Sequence, residues 1–506
     1  MAPAPWTPAW LLHEREGHHV LLLAGSVLLM CIIWMITFSL RIPIWDAPNV
    51  VIAQPPIMRK VFPGGVSAMV NTILALAAIT AGYLGCLWAA RRGFPHSFPV
   101  IIGVCCVVAI VVLPTRPVAS PDVTHLAADV RTLWLRHAYP TNFSGVPSKF
   151  DDPVANQVIT YKSAPSGYGP VAYAIGGIPI PFVGDGLAAN VLGQKAIAAT
   201  FLILAAYFAG LVALRTGQNP ALMAGLVGLN PLLLFEFAGD GHNDSIMVAF
   251  GVAAMLFVFD PPWRRRTIGV GIGLLSVLSK FSLVLASPVV VAAWFPRWRK
   301  WIALAMAIIG GLALFAVVAR YGPRLGTLGP ATAVSLTTPA NVVGHWFHGG
   351  RTYRNWVVLL SYVSFIFVAA AIVLRHRLES LQDKVAAVGL LMFLFVFACS
   401  PQMLPWYQSW YFPFAVLSGK RWLIVTSLVF TVGGFFPILA LNWENDIIRQ
   451  TGLGSPVDKA VLFLWLSTGL TALLFWYLDS SKRRLRSEST TRQSLRATRR
   501  RAGGRA

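Results

Sequence analysis

A short run of the sequence, "EFAGDGHND", contains Glu236, Asp240, His242, Asn243 and Asp244. Carboxylates and an imidazole at this density can bind a sugar or a divalent cation, or can move a proton. The structural alternative is that Asn243 or Asp244 caps the following helix while the glycines turn the chain. Glu236 fits capping less well, because an ionisable residue inside an apolar segment is costly and usually faces a cavity or partner. The run therefore predicts a binding loop.

A second polar segment, "SPDVTHLAADVRTLW", follows an early apolar run. Its Ser-Pro pair is typical of a helix start. The helical period then puts Asp122, His125, Asp129 and Arg136 on one stripe, opposite an apolar stripe. This pattern predicts an amphipathic helix on the membrane surface, with its polar stripe in water. A purely structural role remains open, in which Asp122 complements the helix dipole and Asp129 pairs with Arg136.

Further candidates are cationic and aromatic. Lys280 interrupts the apolar segment "LSVLSKFSLVL", and Arg351 lies in the predicted loop "GHWFHGGRTYRNW". A lysine inside a membrane is a functional candidate whose ammonium suits a phosphate, although snorkelling to the outer interface is the structural alternative. Tyr168 in "YGP", and Trp406 and Tyr407 in "PWYQSWYFP", offer faces that stack on sugars or form an interfacial aromatic belt.

Long apolar runs must position these residues. The 506-residue chain is 56% hydrophobic and 12% charged, and its mean hydropathy is +0.65. Soluble domains contain about 25% charged residues, so we expect an all-α polytopic membrane protein. The apolar runs predict about fourteen transmembrane helices. Segment 267–295 is predicted as two short spans broken near Ser279 and Lys280, because this keeps the basic "PRWRK" inside.

The net charge of +22 does not indicate nucleic-acid binding, because the basic residues lie in short loops and a terminal tail without any nucleic-acid module. Their clusters beside helix ends predict cytoplasmic N- and C-termini. Residues 1–479 are expected to form a single transmembrane domain, followed by a basic, disordered cytoplasmic tail over 480–506. The substantial loops predicted on the outer face are 41–65, 116–189, 320–353 and 441–458.

Taken in order, "SPDV", "YGPVAY", "NPLLLFEFAGDGHNDS", the membrane lysine and "PWYQSWYFP" resemble one family. It comprises the polyprenyl-phosphate-mannose-dependent mannosyltransferases of the bacterial envelope, which have the GT-C fold, and in particular the α-(1→6)-mannopyranosyltransferase branch. The resemblance covers residues 66–420 and implies that Asp122 is the general base. His125 stands where the family more often has an aromatic residue. The expected substrate-binding residues are His125, Tyr168, Glu236, His242, Asn243, Asp244, Lys280, Arg351, Trp406 and Tyr407.

The resemblance implies inverting transfer of a sugar, by default mannose, from polyprenyl phosphate to an envelope glycan or glycolipid. It places the site at the outer face of the plasma membrane, among membrane lipids. Metal dependence stays open at this point, because Glu236, Asp240 and Asp244 permit a divalent cation but do not require one. A polytopic transporter or lipid flippase for envelope precursors is the alternative, followed by a non-catalytic partner in envelope synthesis. Transport is disfavoured because no internal repeat is evident and the polar residues lie near helix ends.

Overall fold

The computed structural model describes residues 9–44, 64–94, 96–118, 120–158, 163, 165–321, 351–400, 404–451 and 456–478. Within these residues the regular secondary structure is helical, apart from an isolated β-bridge between Pro43 and Thr115. The all-α prediction is therefore confirmed. The predicted tail 480–506 lies outside the described residues, as do most of 41–65 and 320–353.

The first part of the bundle contains ten helices, and α1 continues into a π-helical turn while α10 ends in one. Their bounds are α1 Ala9–Trp34, α2 Val66–Arg92, α3 Ser97–Val112, α4 Asp122–Arg136, α5 Pro153–Gln157, α6 Pro170–Gly176, α7 Ile180–Val183, α8 Leu187–Arg215, α9 Pro220–Gly228 and α10 Pro231–Gly239.

The second part is also helical, and its 3₁₀ segments are Phe281–Ala286, Pro296–Trp298 and Pro405–Trp410. Its helices are α11 Asp244–Met255, α12 Trp263–Ser279, α13 Ser287–Trp294, α14 Arg299–Tyr321, α15 Arg351–Arg375, α16 Leu381–Leu394, α17 Phe412–Leu417, α18 Arg421–Gly433, α19 Phe435–Thr451 and α20 Pro456–Leu478.

Seven of the described helices are long and apolar enough to cross a membrane, or eight if α9 and α10, bent by 44°, form one broken span. The predicted count of about fourteen is not confirmed. Several apolar runs fold as short helices: α11 has 12 residues, or about 18 Å, against a hydrocarbon core of about 30 Å. The predicted break is present, since α12 ends at Ser279 and Lys280 is extended, with φ −158°.

Helix α4 forms over the predicted residues, but only the two ends of its polar stripe, Asp122 and Arg136, reach solvent. Every residue from Val123 to Thr132 is buried, and α4 packs against α6 and α8. Arg131 pairs with Asp152 at 2.9 Å, and Arg136 donates to a backbone carbonyl instead of pairing with Asp129. The prediction of a surface helix is therefore wrong. Periodicity separates a polar face from an apolar one, but it does not show whether water or a later segment covers the polar face.

The predicted outer loops also contain helices. Segment 116–189 holds α4 to α7 and the start of α8. Helix α19 extends to Thr451 through a kink at Trp443, which has φ −117° and ψ 19°, so residues 441–451 of the predicted loop 441–458 are helical. The loop was predicted where polar residues end the apolar run. These residues still belong to the helix, because the backbone hydrogen bonds continue through them.

Hydrogen bonds connect three helix ends that carry clusters of arginine and lysine residues, so these clusters lie at one end of the bundle. The Asn219 side chain donates to the carbonyl of Ala90 at 3.0 Å, and the Gln218 side chain donates to the carbonyl of Leu417 at 2.8 Å. These bonds join the last turn of α2, the α8–α9 turn and the α17–α18 turn. Arg91, Arg92, Arg215, Lys420 and Arg421 lie there. A positive-inside protein requires such an arrangement.

Candidate active site

The loop between α10 and α11 lies at the opposite end and packs closely against the start of α4. Gly241 has φ +80°, which favours glycine. A Cβ atom at this position would lie 2.7 Å from Val123 Cγ2 and 2.8 Å from Lys195 Cγ. Glycine is thus needed both for the turn and for the approach of the acidic loop to the first turn of α4.

Asp240 fixes the backbone that leads into α4. Its Oδ1 accepts a hydrogen bond from the Val118 N–H at 2.8 Å, and its Oδ2 accepts one from the Ser120 N–H at 3.1 Å. The Ser120 hydroxyl in turn accepts from the Asp122 N–H at 3.2 Å. A buried carboxylate therefore sets the position of Asp122 through the backbone, a role that the sequence did not indicate.

His242 connects Asp122 with Glu236. Its Nε2 lies 3.8 Å from Asp122 Oδ2, and its Nδ1 lies 3.1 Å from Glu236 Oε2. The Asp122 side chain is 27% exposed, whereas His242 and Glu236 are buried. Burial by itself lowers the pKa of His242, but the adjacent Glu236 carboxylate, together with the Asp122 charge, outweighs it and raises the pKa to about 9. The imidazole is therefore cationic at neutral pH.

Neighbours of His242 favour ligand binding over simple capping. The imidazole stacks on Trp406, with ring centroids 3.8 Å apart and an interplanar angle of 21°. Asn243 occupies the N-cap position of α11, but its side chain makes no capping hydrogen bond. Its buried Oδ1 and Nδ2 have no hydrogen-bond partner among the described residues. An unpaired buried amide is costly, so we expect a ligand or water to bind it.

Lys280 is held in a specific place and does not snorkel freely. Its Nζ lies 2.9 and 3.1 Å from the two carboxylate oxygens of Asp244, and the Trp410 indole N–H donates to the same carboxylate at 2.5 Å. The ammonium also lies 5.3 to 5.6 Å from the ring centroids of Tyr168, Tyr407 and Trp410. These contacts are within the range of cation–π attraction. The extended backbone after α12 thus places a paired cation inside an aromatic cage.

The "YGP" motif brings Tyr168 to this cage. The Gly169 N–H donates to the carbonyl of Ser279 at 3.0 Å, and a Cβ atom on Gly169 would collide with the carbonyl of Leu278. Pro170 is the first residue of α6. The glycine therefore allows the loop to touch the end of α12 directly beside Lys280.

His125 and Asp129 lie behind Asp122. His125 Nε2 is 3.4 Å from Asp129 Oδ1, and both residues are buried. Burial lowers the pKa of His125, against the opposing charge of Asp122. Burial also raises the pKa of Asp129 to about 8, against an opposing effect of the nearby Ser166 hydroxyl. Both side chains are therefore uncharged at pH 7, and the contact of His125 with substrate stays a prediction.

The structure brings most of the expected residues together at one end of the bundle. Trp410 joins the cluster although it was not among the expected binding residues; the second Trp of "PWYQSW" was the available indication. Asp240 was expected only as a ligand for a divalent cation, and it joins the cluster through its backbone hydrogen bonds instead. The side chain of Arg351 lies outside the described residues. The residues gathered there from the expected set are Asp122, Tyr168, Glu236, His242, Asn243, Asp244, Lys280, Trp406 and Tyr407.

The acidic residues do not form a cation site. Among the described residues, no group of three or more His, Cys, Asp or Glu side chains could hold a metal ion. Asp240 is engaged with backbone N–H groups, and Asp244 is engaged with Lys280. The carboxylates that permitted a divalent cation in the sequence therefore have other partners in the fold.

A family model described as α-(1→6)-mannopyranosyltransferase, N-terminal domain, matches residues 23–296. This match covers more than half of the chain and contains Asp122, His242, Asp244 and Lys280. The chain belongs to this mannosyltransferase family. The chain is therefore a glycosyltransferase. The resemblance to the α-(1→6)-mannopyranosyltransferases, inferred from the order of the sequence motifs, is confirmed.

Individual members of the family are distant relatives. α-(1→6)-Mannopyranosyltransferase A of Mycobacterium tuberculosis is 25% identical over 363 residues, which cover 66% of this chain and 66%, just under two thirds, of that protein. α-(1→6)-Mannopyranosyltransferase B of Corynebacterium glutamicum is 24% identical over 473 residues, which cover 82% of this chain and 75% of that protein. No solved structure matches the chain significantly.

Proposed function

We propose that this chain is an inverting GT-C glycosyltransferase. It moves a sugar, with mannose as the first candidate, from a polyprenyl phosphate to a hydroxyl of an envelope glycan or glycolipid. The observation that supports this proposal is the convergence of an accessible carboxylate, Asp122, with a caged ammonium, Lys280, at one end of an apolar bundle. Both groups adjoin the acidic loop between α10 and α11. The names of the relatives support mannose transfer.

The chemistry requires one proton acceptor and one partner for a leaving phosphate. The acceptor oxygen forms a bond to the anomeric carbon as the bond from that carbon to the phosphate oxygen breaks. The hydroxyl proton goes to the Asp122 carboxylate, and the electron pair leaves with the polyprenyl phosphate. A carboxylate within hydrogen-bond reach is suited to take this proton, and attack opposite the phosphate inverts the anomeric centre.

His242 orients this base. Its cationic ring lies between the Asp122 and Glu236 carboxylates, so it favours one orientation of the Asp122 side chain. Trp406 fixes the plane of the imidazole by stacking. Because Asp240 and Ser120 fix the backbone of Asp122, the base is positioned from both its main chain and its side chain.

The cage around Lys280 suits the sugar phosphate. The ammonium would face the charge that grows on the leaving phosphate, while Tyr168, Tyr407 and Trp410 offer ring faces to the sugar. A donor with a polyprenyl chain keeps that chain in hydrocarbon, so its sugar emerges where helices end. We place this end of the bundle at the outer face of the plasma membrane, because the basic clusters lie at the opposite end.

The proposal is tested with the purified full chain in lipid vesicles, radiolabelled polyprenyl-phosphate-mannose and an envelope lipoglycan extract. We expect label to appear in the extract, with loss of polyprenyl-phosphate-mannose and no requirement for a nucleotide. Matched donors carrying glucose or arabinose then define the sugar. Absence of transfer from all three donors would contradict the proposal, and movement of intact donor across the vesicle without product would favour a flippase.

The raised pKa of His242 predicts a specific pH profile. Because its folded pKa of about 9 exceeds the ordinary 6.5, the cation is present at neutral pH and is lost as the pH rises through 9. We expect kcat/KM to fall above this value. Glu236→Gln removes the carboxylate that raises the pKa, so the alkaline decline should move down by about one pH unit or more. Profiles from pH 6 to 10 measure the effect.

Glu379→Gln is the matched control for this profile. Glu379 is exposed in the turn between α15 and α16, away from the site, so the variant should keep the wild-type decline. Thermal unfolding of each variant in detergent shows whether the fold is retained. An identical decline in the folded Glu236→Gln variant would exclude the imidazolium as the titrating group.

A further inference from the structure

A lateral groove runs between α2 and α18–α19, away from the candidate active site. Cavities of about 370, 460 and 350 Å³ follow one another along it. Val425 lines the first two cavities, and Thr80 and Leu84 line the second and third. The groove therefore extends along α2 from Arg91 to Ile73, or about 27 Å at 1.5 Å per residue, which is close to the hydrocarbon thickness of a bilayer.

The walls of the groove are apolar. Val432 and Phe436 line it on the α18–α19 side, and Phe463 of α20 lies at its edge. Two of the polar side chains in the wall are already engaged, because the Tyr83 hydroxyl donates to the carbonyl of Leu226 and the Thr431 hydroxyl accepts from the Gln408 side chain. A hydrocarbon chain matches such a surface, since the walls demand few hydrogen bonds.

The mouth of the groove at the basic end is cationic. Arg91 in the last turn of α2 and Arg421 at the start of α18 line it together with Gly419. The Arg421 guanidinium lies 5.8 Å from the ring of Phe475. Neither arginine has an ion-pair partner among the described residues, in contrast to Arg215 at the same end, which pairs with an aspartate. The mouth thus has charge available for an anion.

We propose that this groove binds an anionic phospholipid, with its phosphate on Arg91 and Arg421 and an acyl chain along the apolar walls. The two arginines favour an anionic headgroup, and the long apolar walls favour an acyl chain. A free phosphate would leave the apolar walls uncovered, and the tail 480–506 carries the same sign as the two arginines in "SKRRLR" and "RATRRR". The sugar donor of the proposed reaction is a different ligand, because its phosphate must lie at the opposite end, beside Lys280.

A lipid in this groove would also support the active site mechanically. It would contact α18, and Thr431 of α18 accepts a hydrogen bond of 2.6 Å from Gln408. Gln408 lies in the same 3₁₀ segment as Tyr407 and Trp410. The lipid would therefore brace the segment that supplies two rings of the cage.

Native mass spectrometry of the full chain in mild detergent tests the proposal without an activity assay. Phosphatidylglycerol, phosphatidylcholine and soluble glycerol 3-phosphate are the probes. We expect the wild type to retain one phosphatidylglycerol, and Arg91→Gln/Arg421→Gln to bind it at least about tenfold more weakly. Arg264→Gln/Arg297→Gln removes the same charge from exposed positions outside the groove and should bind like the wild type.

Ser467→Trp keeps both arginines but fills the apolar part of the groove, so it should also lose the lipid. Thermal unfolding in lipid-free detergent confirms that each variant is folded. Equal retention of phosphatidylcholine by the wild type, equal binding of glycerol 3-phosphate, or equal losses in the groove and control arginine variants would each overturn the proposal. So would full lipid retention by a folded Ser467→Trp variant.

Discussion

Asp122→Asn is expected to lower the rate of sugar transfer by about 10³-fold, because the amide cannot accept the acceptor's proton. The side chain is partly exposed and its nearest charged partner, His242 Nε2, is 3.8 Å away, so the substitution should leave the fold intact. The donor KM should change little, since the donor phosphate is assigned to the Lys280 side of the site. Single-turnover transfer, together with donor titration and thermal unfolding, separates these effects.

Asp151→Asn is the matched control for this substitution. Asp151 is an exposed acid of the same polar segment, and its carboxylate contacts only Asn156 among the hydrogen bonds described. This variant should transfer at the wild-type rate. Asp122→Glu keeps a carboxylate but lengthens it by one methylene, so partial activity is expected. Wild-type turnover by Asp122→Asn would remove Asp122 as the base.

Lys280→Gln is expected to lower transfer by about 10²- to 10³-fold, because the leaving phosphate loses its cation. The same change should destabilise the fold by about 3–5 kcal/mol, since the Asp244 carboxylate is 1% exposed and would lose its ion-pair partner. Thermal unfolding and transfer rates measure the two effects independently. A loss of activity in this variant alone would therefore not separate a chemical role from a structural one.

The double variant Lys280→Gln/Asp244→Asn separates these roles. The second substitution removes the unpaired buried charge, and an asparagine can still accept from the Trp410 indole N–H. We expect stability to recover most of its wild-type value while transfer stays low. Recovery of transfer along with stability would show that Lys280 acts only by neutralising Asp244.

The class of protein and its family could be predicted from local sequence. Hydrophobic runs predict membrane helices, and the order of "SPDV", "YGP", "GDGHND" and "PWY" indicates the mannosyltransferase family. The helix break at Ser279 was also predictable, because the basic residues after Phe295 had to stay on one side. The number of membrane-spanning helices could not be predicted from the sequence. Helix α11 and the bent pair α9–α10 show that an apolar run need not fold as one full-length span.

Composition and hydrophobic patterning are sufficient to predict an all-α membrane protein and to locate its acidic, cationic and aromatic residues. Their partners become known from the packed helices: Asp240 bonds to Ser120 across 120 residues, and Trp410 bonds to Asp244 across 166. The same holds for α4, whose polar stripe is covered by segments that follow it. The physical reason is that periodicity and motif spacing report contacts a few residues apart, whereas burial and pairing here depend on segments that meet only when the helices pack.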